Sequence, residues 1–464
     1  MRLGTSLPPY EKAETASYVI YKQGNVIYAK NGETGAVEFS GTDAATVIQQ
    51  AIDALTSGGK IFIKAGTYTL TNSLTLKPGV SIEGVFPRRK NIEPGAPDGS
   101  AAVIEGGTVF EAASSDIVAL TGNNLIGVEL RNLAFKGFKR AMEFGAKDTL
   151  GMAFSRLENI YIDNSGDVAI KITNFQHLRL SHIKAVIPAN TRFMHLVNDH
   201  YNWAGGNSVF DDLYVVGGGK ADGVILFQAI NLSLNLVEVI RPQVNMWGSD
   251  GVGSGIRLLN ETGDSSGMAR INLYGVDVEG NPEAAVKLEG ARNSFILISY
   301  TDATYSAQLK SYGGVVSMFN TLAGIVSKVY CETWENFVIT PYTATIEGSG
   351  IYGLVTKTNP SSGNLRPALL IGSKTAYFDD HYAPIFPGVA RGTATITAGN
   401  TYVDVPHGLG AAFNISKVRI TPRDDLGGRS FWVEEHPTDP ATYFRIYISS
   451  TDTVDHTFNW YAEA

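Results

Sequence analysis

The sequence has a single cysteine, Cys331, in 464 residues, so no intramolecular disulfide framework holds this chain together. It contains no run of about 18 consecutive apolar residues, which excludes a membrane-spanning helix. Residues 1–10 have no apolar stretch behind a basic cluster, so no signal peptide is expected. Charge is sparse, at 18% of residues with a net of −8, and the densest basic stretch is only Arg88-Arg89-Lys90. That balance argues against nucleic acid as the main partner. Zinc-ligand spacings, phosphate loops and dinucleotide fingerprints are missing as well, so neither a metal nor an organic cofactor is implied.

What is present is glycine, 50 residues of it, with abundant Asn, Thr, Ser, Val and Ile. This mixture suits short strands joined by tight turns. One segment reads as a helix: residues 42–55 place Val47, Ile48, Ala51, Ile52 and Leu55 on one face. After Gly58-Gly59, strand patterns follow at 60–68, 74–76 and 80–83. A single amphipathic helix ahead of many strands is the cap that a solenoid needs over its first coil.

The main signal is a repeat. Leu130-Arg131-Asn132-Leu133-Ala134-Phe135 has the order apolar, any, polar or small, apolar, any, apolar. The order returns in segments whose third positions are Asn159, His182, Asp212, Glu238, Gly275 and, more weakly, Tyr300. Successive intervals are 27, 23, 30, 26, 37 and 25 residues. A second marker drifts with the first: Met142-Glu143-Phe144, Ile170-Lys171-Ile172, Met194-His195-Leu196, Val224-Ile225-Leu226, Ile256-Arg257-Leu258 and Val286-Lys287-Leu288. Two markers sharing one period predict an all-β, right-handed parallel β-helix with about 25 residues per coil.

The Leu-Arg-Asn-Leu and Leu-Glu-Asn-Ile segments resemble the pectate-lyase-like superfamily of right-handed β-helices, whose stacked asparagines form a ladder at a bend. The stretch from Asn159 to Lys171 is similar to a polygalacturonase active-site coil, although only Asp167 stands where that family has paired aspartates. Its Gly-His-Gly and Arg-Ile-Lys motifs have no counterpart here. After residue 387 the long period gives way to compact alternating strands, which predict an antiparallel β-sandwich. The expected domains are therefore an N-terminal strand or neck segment (1–40), a β-helix with capping helix 42–55 (41–387), and a C-terminal domain (388–464) for trimerisation or glycan binding. This layout resembles phage tailspikes and tail-fibre depolymerases. It implies a homotrimer acting on a polysaccharide, outside the cell or on a virion tail, with no membrane insertion.

For a site, the middle residues of the second marker are the natural groove: Lys171, His195, Ile225, Arg257 and Lys287 should stack outward, about 4.8 Å apart. Such a line suits an acidic glycan. Two loops beside it, at 198–203 with Tyr201 and Trp203 and at 244–250 with Trp247, offer aromatic faces to sugar C–H groups. Glycoside hydrolysis needs two carboxylates; Asp222 and Asp250 on adjacent coils are the first candidates, with Asp167 the alternative partner. Asp277 and Glu279 form a second acidic column. Asp212, Glu238 and His182 fall in the ladder register, where a structural role is expected. Two other readings stay open: a lyase using a Lys, His or Arg base, and a non-catalytic adhesin or fibre.

Overall fold

The computed structural model describes residues 15–90, 103–163, 166–199, 205–217, 223–231, 233–246, 253–262, 267–280, 282–292, 294–312, 315–318, 327–331, 336–348, 351–358, 365–371, 374–378, 384–385, 389–409 and 413–463. The chain divides into two units, one ending at Ile351 and one beginning at Tyr352.

The first unit is a right-handed parallel β-helix. It opens on three antiparallel strands, Tyr18–Gln23, Val26–Asn31 and Val37–Gly41, the first of which also pairs in parallel with Gly59–Ile63. The helix Ala44–Ala54 lies between. Asp43 caps it by accepting the Thr46 N–H at 3.0 Å, and Val47, Ile48, Ala51 and Ile52 are buried.

Each coil then pairs with the next. One stack runs through Glu129–Lys136, Met152–Asp163, Phe175–Ile187, Gly205–Gly217, the split pair Leu234–Ile240 and Gln243–Asn245, Met268–Glu279, and Phe295–Thr301. A second runs through Arg140–Phe144, Val168–Thr173, Arg192–Asn198, Ile225–Ala229, Ser254–Asn260, Ala284–Arg292 and Tyr305–Tyr312. Inward residues stack in columns: Leu133, Phe135, Ile160, Ile162, Leu213, Val215, Val276 and Val278 are all buried.

The long strands of the first stack turn corners through left-handed residues. Gly127, Phe154, His177, Asn207, Leu236 and Arg270 have positive φ, and so do the residues five places on: Asn132, Asn159, His182, Asp212, Arg241 and Gly275. Asn, Asp, His and Gly tolerate that region best. Asn159 Nδ2 donates to Asn132 Oδ1 at 3.0 Å, one rung of the expected ladder.

This geometry corrects the register at three places. Glu238 is not in the ladder; it pairs with Val209, and the bend falls on Arg241. The apolar spelling misleads there because Leu236 sits at the other corner, 44% exposed, rather than in the core. Tyr300 pairs with Asp277 rather than Gly275, after a register shift in that strand pair. In the second stack, His195 is followed by Leu226, while Ile225 faces the core beside Met194.

In the second unit, antiparallel pairing begins with Ile351–Thr358 against Leu365–Ile371. Two three-stranded antiparallel sheets follow: Val389–Ile396, His456–Glu463 and Arg419–Pro422 in one, and Tyr402–Pro406, Tyr443–Ile448 and Phe431–Glu435 in the other. Their shared core includes Val405, Phe444, Ile446, Phe458 and Trp460.

Candidate carboxylate site on the solenoid

The outward column of the second stack reads Glu143, Lys171, His195, Leu226, Arg257, Lys287 and Gln308. Its cations do not form an open positive stripe. Arg140 binds Asp167, with Nε donating to Oδ1 at 2.9 Å, and Glu143 at 2.6 Å. Lys171 lies 3.3 Å from Glu143. Arg257 Nε donates to Glu289 at 2.6 Å, and Lys287 stands 3.5 Å from the same carboxylate. Among these charges each cation meets a carboxylate from its own coil or an adjacent one.

Asp167 is drawn into this lattice. Burial alone would raise its pKa, but Arg140, the Val168 N–H and Lys139 outweigh burial and hold the carboxyl below its ordinary range. It stays ionised and is a poor proton donor. His195 is pushed down to about 4, first by burial and then by Arg192, Lys171 and Arg140, against a raising contribution from Gln228. It is neutral at pH 7, with Nε2 2.8 Å from Gln228 Oε1; Gln228 Nε2 in turn donates to Glu261 at 2.5 Å. Asp222, Asp250, Tyr201, Trp203 and Trp247 lie outside the described residues.

The first stack carries the opposite arrangement. Beyond the ladder bend, one outward column reads Ala134, Tyr161, Lys184, Tyr214, Gln243, Asp277 and Tyr300. The parallel column two residues on reads Lys136, Asp163, Val186, Val216, Asn245 and Glu279. Asp302 follows Thr301, the partner of Val278, and so stands one coil beyond Glu279. Asp277 and Glu279 are two places apart on one strand, so both point outward, with Cα atoms about 7 Å apart. Asp302 is about 5 Å from Glu279 along the solenoid axis by the same lattice.

Three carboxylates thus share one small patch. Gln243 Nε2 donates to Asp277 Oδ2 at 3.3 Å, Asn245 Nδ2 to Glu279 Oε2 at 3.1 Å, and the Gly280 N–H to Asp302 Oδ2 at 3.0 Å. Asp277 Oδ1 is buried without a hydrogen-bond partner. Burial raises the Asp277 pKa, Asp302 raises it further, and the Gln243 bond only partly opposes them. Glu279 is raised by burial, then by Asp277 and Asp302. The Tyr300 phenol moves up by burial and by all three carboxylates. Crowded like charges favour keeping a proton on one member, which is the state a general acid needs. Among the described residues, no group of three or more His, Cys, Asp or Glu has the geometry to hold a metal ion.

Asp277 and Glu279 stood second to Asp222 and Asp250 in the sequence reading; Tyr300 was noted only for its register, and Asp302 went unnoticed. The signal for both was the 25-residue interval, which puts Asp302 one coil from the Asp277–Glu279 strand in either register, with Tyr300 opposite Asp277 in the observed one.

No family model matches the sequence, and no curated protein does. Solved structures similar to this chain include the Dettilon tailspike protein, at 10% identity over 91% of each chain with a TM-score of 0.37. Another is the tailspike protein of E. coli bacteriophage HK620 in complex with a pentasaccharide, at 10% identity over 91% of this chain and 90% of that one, TM-score 0.41. A third is DFA-IIIase from Arthrobacter chlorophenolicus without its lid, in complex with GF2, at 12% identity over 68% of this chain and 89% of that one, TM-score 0.40. These are likenesses of architecture alone. The parallel strand pairing is what defines this chain as a β-helix.

Proposed function

We propose that this protein is a glycoside hydrolase that cuts an extended polysaccharide lying along the first stack of the β-helix, with Asp277, Glu279 and Asp302 as its working carboxylates. The observation that carries the reading is the patch itself: three carboxylates borne on backbone positions about 5 to 8 Å apart on the strand lattice, a spacing that allows the carboxyl separations of paired glycosidase acids, with two of them raised in pKa. Asp277, the one with a buried and unpartnered oxygen, acts as the acid toward the leaving oxygen. Glu279 or Asp302 serves as the base or nucleophile. Tyr161, Lys184 and Tyr214 continue the same outward column and supply ring faces and donors for sugars on neighbouring coils.

The test is a screen of bacterial and plant polysaccharides for new reducing ends, run on the native chain and on Asp277→Asn. Turnover should fall by about 10²-fold or more, the scale of a lost general acid, with the melting temperature unchanged or higher. Full activity in Asp277→Asn would sink the assignment. A second reading is a lyase with His195, neutral beside Arg192, Lys171 and Arg140, as its base; a pKa pushed down to about 4 makes that base weak, which ranks this reading behind the hydrolase. Products absorbing in the ultraviolet as unsaturated uronates, lost in His195→Ala, would select it.

A homotrimer, with action outside the cell or on a virion tail, belongs to the same proposal. Ile126, Phe154 and Leu236 stand exposed at one corner of the coils, at 48%, 61% and 44%, and Phe154 stacks on His177 at 4.6 Å. A leucine held at positive φ costs about 1–2 kcal/mol, and the part of its side chain that stays exposed does nothing to offset that cost. Contact with a second copy would cover that part. Light scattering that returned 49.8 kDa at micromolar concentration would reject the trimer.

A further inference from the structure

The second unit carries an aromatic platform that the hydrolase reading does not use. On the outer face of its sheet of Tyr402–Pro406, Tyr443–Ile448 and Phe431–Glu435, three aromatics form one row across the strands: Tyr402, Tyr447 and Trp432. Trp432 stacks on Tyr447 with centroids 5.2 Å apart and planes 8° from parallel, and Tyr402 lies 5.9 Å from Tyr447 on the other side. Two residues along, a polar row runs parallel to it: Asp404, Arg445 and Glu434. Arg445 grips Asp404 with both ends of its guanidinium, at 2.5 and 3.1 Å, and lies 4.0 Å over the Tyr402 ring. His436 approaches Asp404 at 3.5 Å.

Trp432 is fixed yet open. Tyr447 covers one face of the indole, and Nε1 donates to Glu434 at 3.1 Å. Its strand is the sheet edge among the described residues, and the side chain is 41% exposed. Tyr402 is 45% exposed at the opposite edge. The result is a preorganised ring face about 10 Å from a second aromatic, beside a row of hydrogen-bonding groups.

We propose that this face binds a neutral oligosaccharide, at a site separate from the carboxylate patch. The argument is charge complementarity. Asp404 and Glu434 face one guanidinium and one imidazole, and the closest charges are already paired. Two carboxylates against the one guanidinium of Arg445 leave donors and acceptors with at most a slight negative excess, which suits uncharged hydroxyls and disfavours an anionic polymer. Sugar C–H faces stack on aromatic rings, while carboxylate and guanidinium groups take the hydroxyls. A second copy of the chain fits less well. Cores of protein interfaces are depleted of charge, and covering Asp404, Arg445 and Glu434 with protein would desolvate all of them.

The experiment uses the full chain and a panel of tetrasaccharides built from glucose, mannose, galactose or N-acetylglucosamine, with tetragalacturonate as the anionic control. Binding is followed by calorimetry and by indole fluorescence. At least one neutral tetrasaccharide should bind. Trp432→Ala should weaken it roughly tenfold, the worth of a good aromatic stack, and Trp432→Phe should restore most of the loss. Tetragalacturonate should show no dependence on Trp432. Asp277→Asn should leave this binding intact, so failure here and failure of the hydrolase assignment read out separately. Absence of any Trp432-dependent binding overturns the proposal, and so does a fall in the light-scattering mass of Trp432→Ala, which would give the face to another copy.

Discussion

On the second stack of the solenoid, Arg140, Lys171, Arg257 and Lys287 meet Asp167, Glu143 and Glu289 across coils spaced by one strand. On the first stack, Asp277, Glu279 and Asp302 meet each other. The same residue types, on the same lattice, are spent in one place on a paired network of four cations and three carboxylates and in the other on mutual repulsion. A parallel solenoid makes this contrast sharp, because register alone decides which side chain stands about 4.8 Å from which. Stacked opposite charges are structural. Stacked like charges raise proton affinity and need another reason to persist.

The largest effect should treat both faces alike. Ile162 is 3% exposed in the inward column between the two stacks. Ile162→Asp puts an unpaired charge in that column, at a cost of several kcal/mol or more, and the chain should fail to give a cooperative thermal transition. A folded, soluble Ile162→Asp protein would mean that the coil interior is not what fixes the outward registers.

The contrast is next tested by pH. Asp167 has a folded pKa below its ordinary 3.8, so its stabilising contribution is present above that value and lost as pH falls through the folded one. Asp277 and Glu279 are raised above 3.8 and 4.5, so their contribution is present below those values and lost as pH rises through the folded ones. Thermal melts across pH should therefore separate Asp167→Asn, which flattens the acid side, from Asp277→Asn, which removes a loss on the way to neutrality. In activity, Asp302→Asn takes a like charge away from Asp277, and the basic limb of the pH–rate profile should move to lower pH. A limb that stays in place would show that Asp302 is not electrostatically coupled to the acid.

Much of this was legible in the sequence, and the failures were local. The inward columns and the capping helix followed from period and amphipathicity, because burial forces apolar residues into fixed places. The Asn132–Asn159 rung followed from spelling. The register slipped at Glu238, Ile225 and Tyr300, where the pattern has two apolar candidates one to three residues apart and only the hydrogen-bonded partner decides between them. The slip did not by itself separate the carboxylates: with Tyr300 opposite Gly275, Asp302 would stand opposite Asp277, and the observed pairing moves it to the level of Glu279. Lys171, His195, Arg257 and Lys287 read as a cationic groove in the sequence because their carboxylate partners, Glu143 and Glu289, become contacts only once the coils are stacked.

The smallest expected effect is the most discriminating. Glu289 accepts from Arg257 Nε at 2.6 Å and lies 3.5 Å from Lys287, and both of its partners are largely covered. Glu289→Gln keeps the shape and removes the charge, so stability should fall by about 1 kcal/mol, the upper range for a partly exposed pair. The difference should shrink in molar salt, because screening acts on charges that still see solvent. Turnover should not change, since this face holds its cations in place rather than presenting them to a substrate. A loss of turnover in Glu289→Gln, without a matching loss of stability, would break the division between the two faces. The groove would then belong on the second stack, with Arg257 and Lys287 in contact with the glycan.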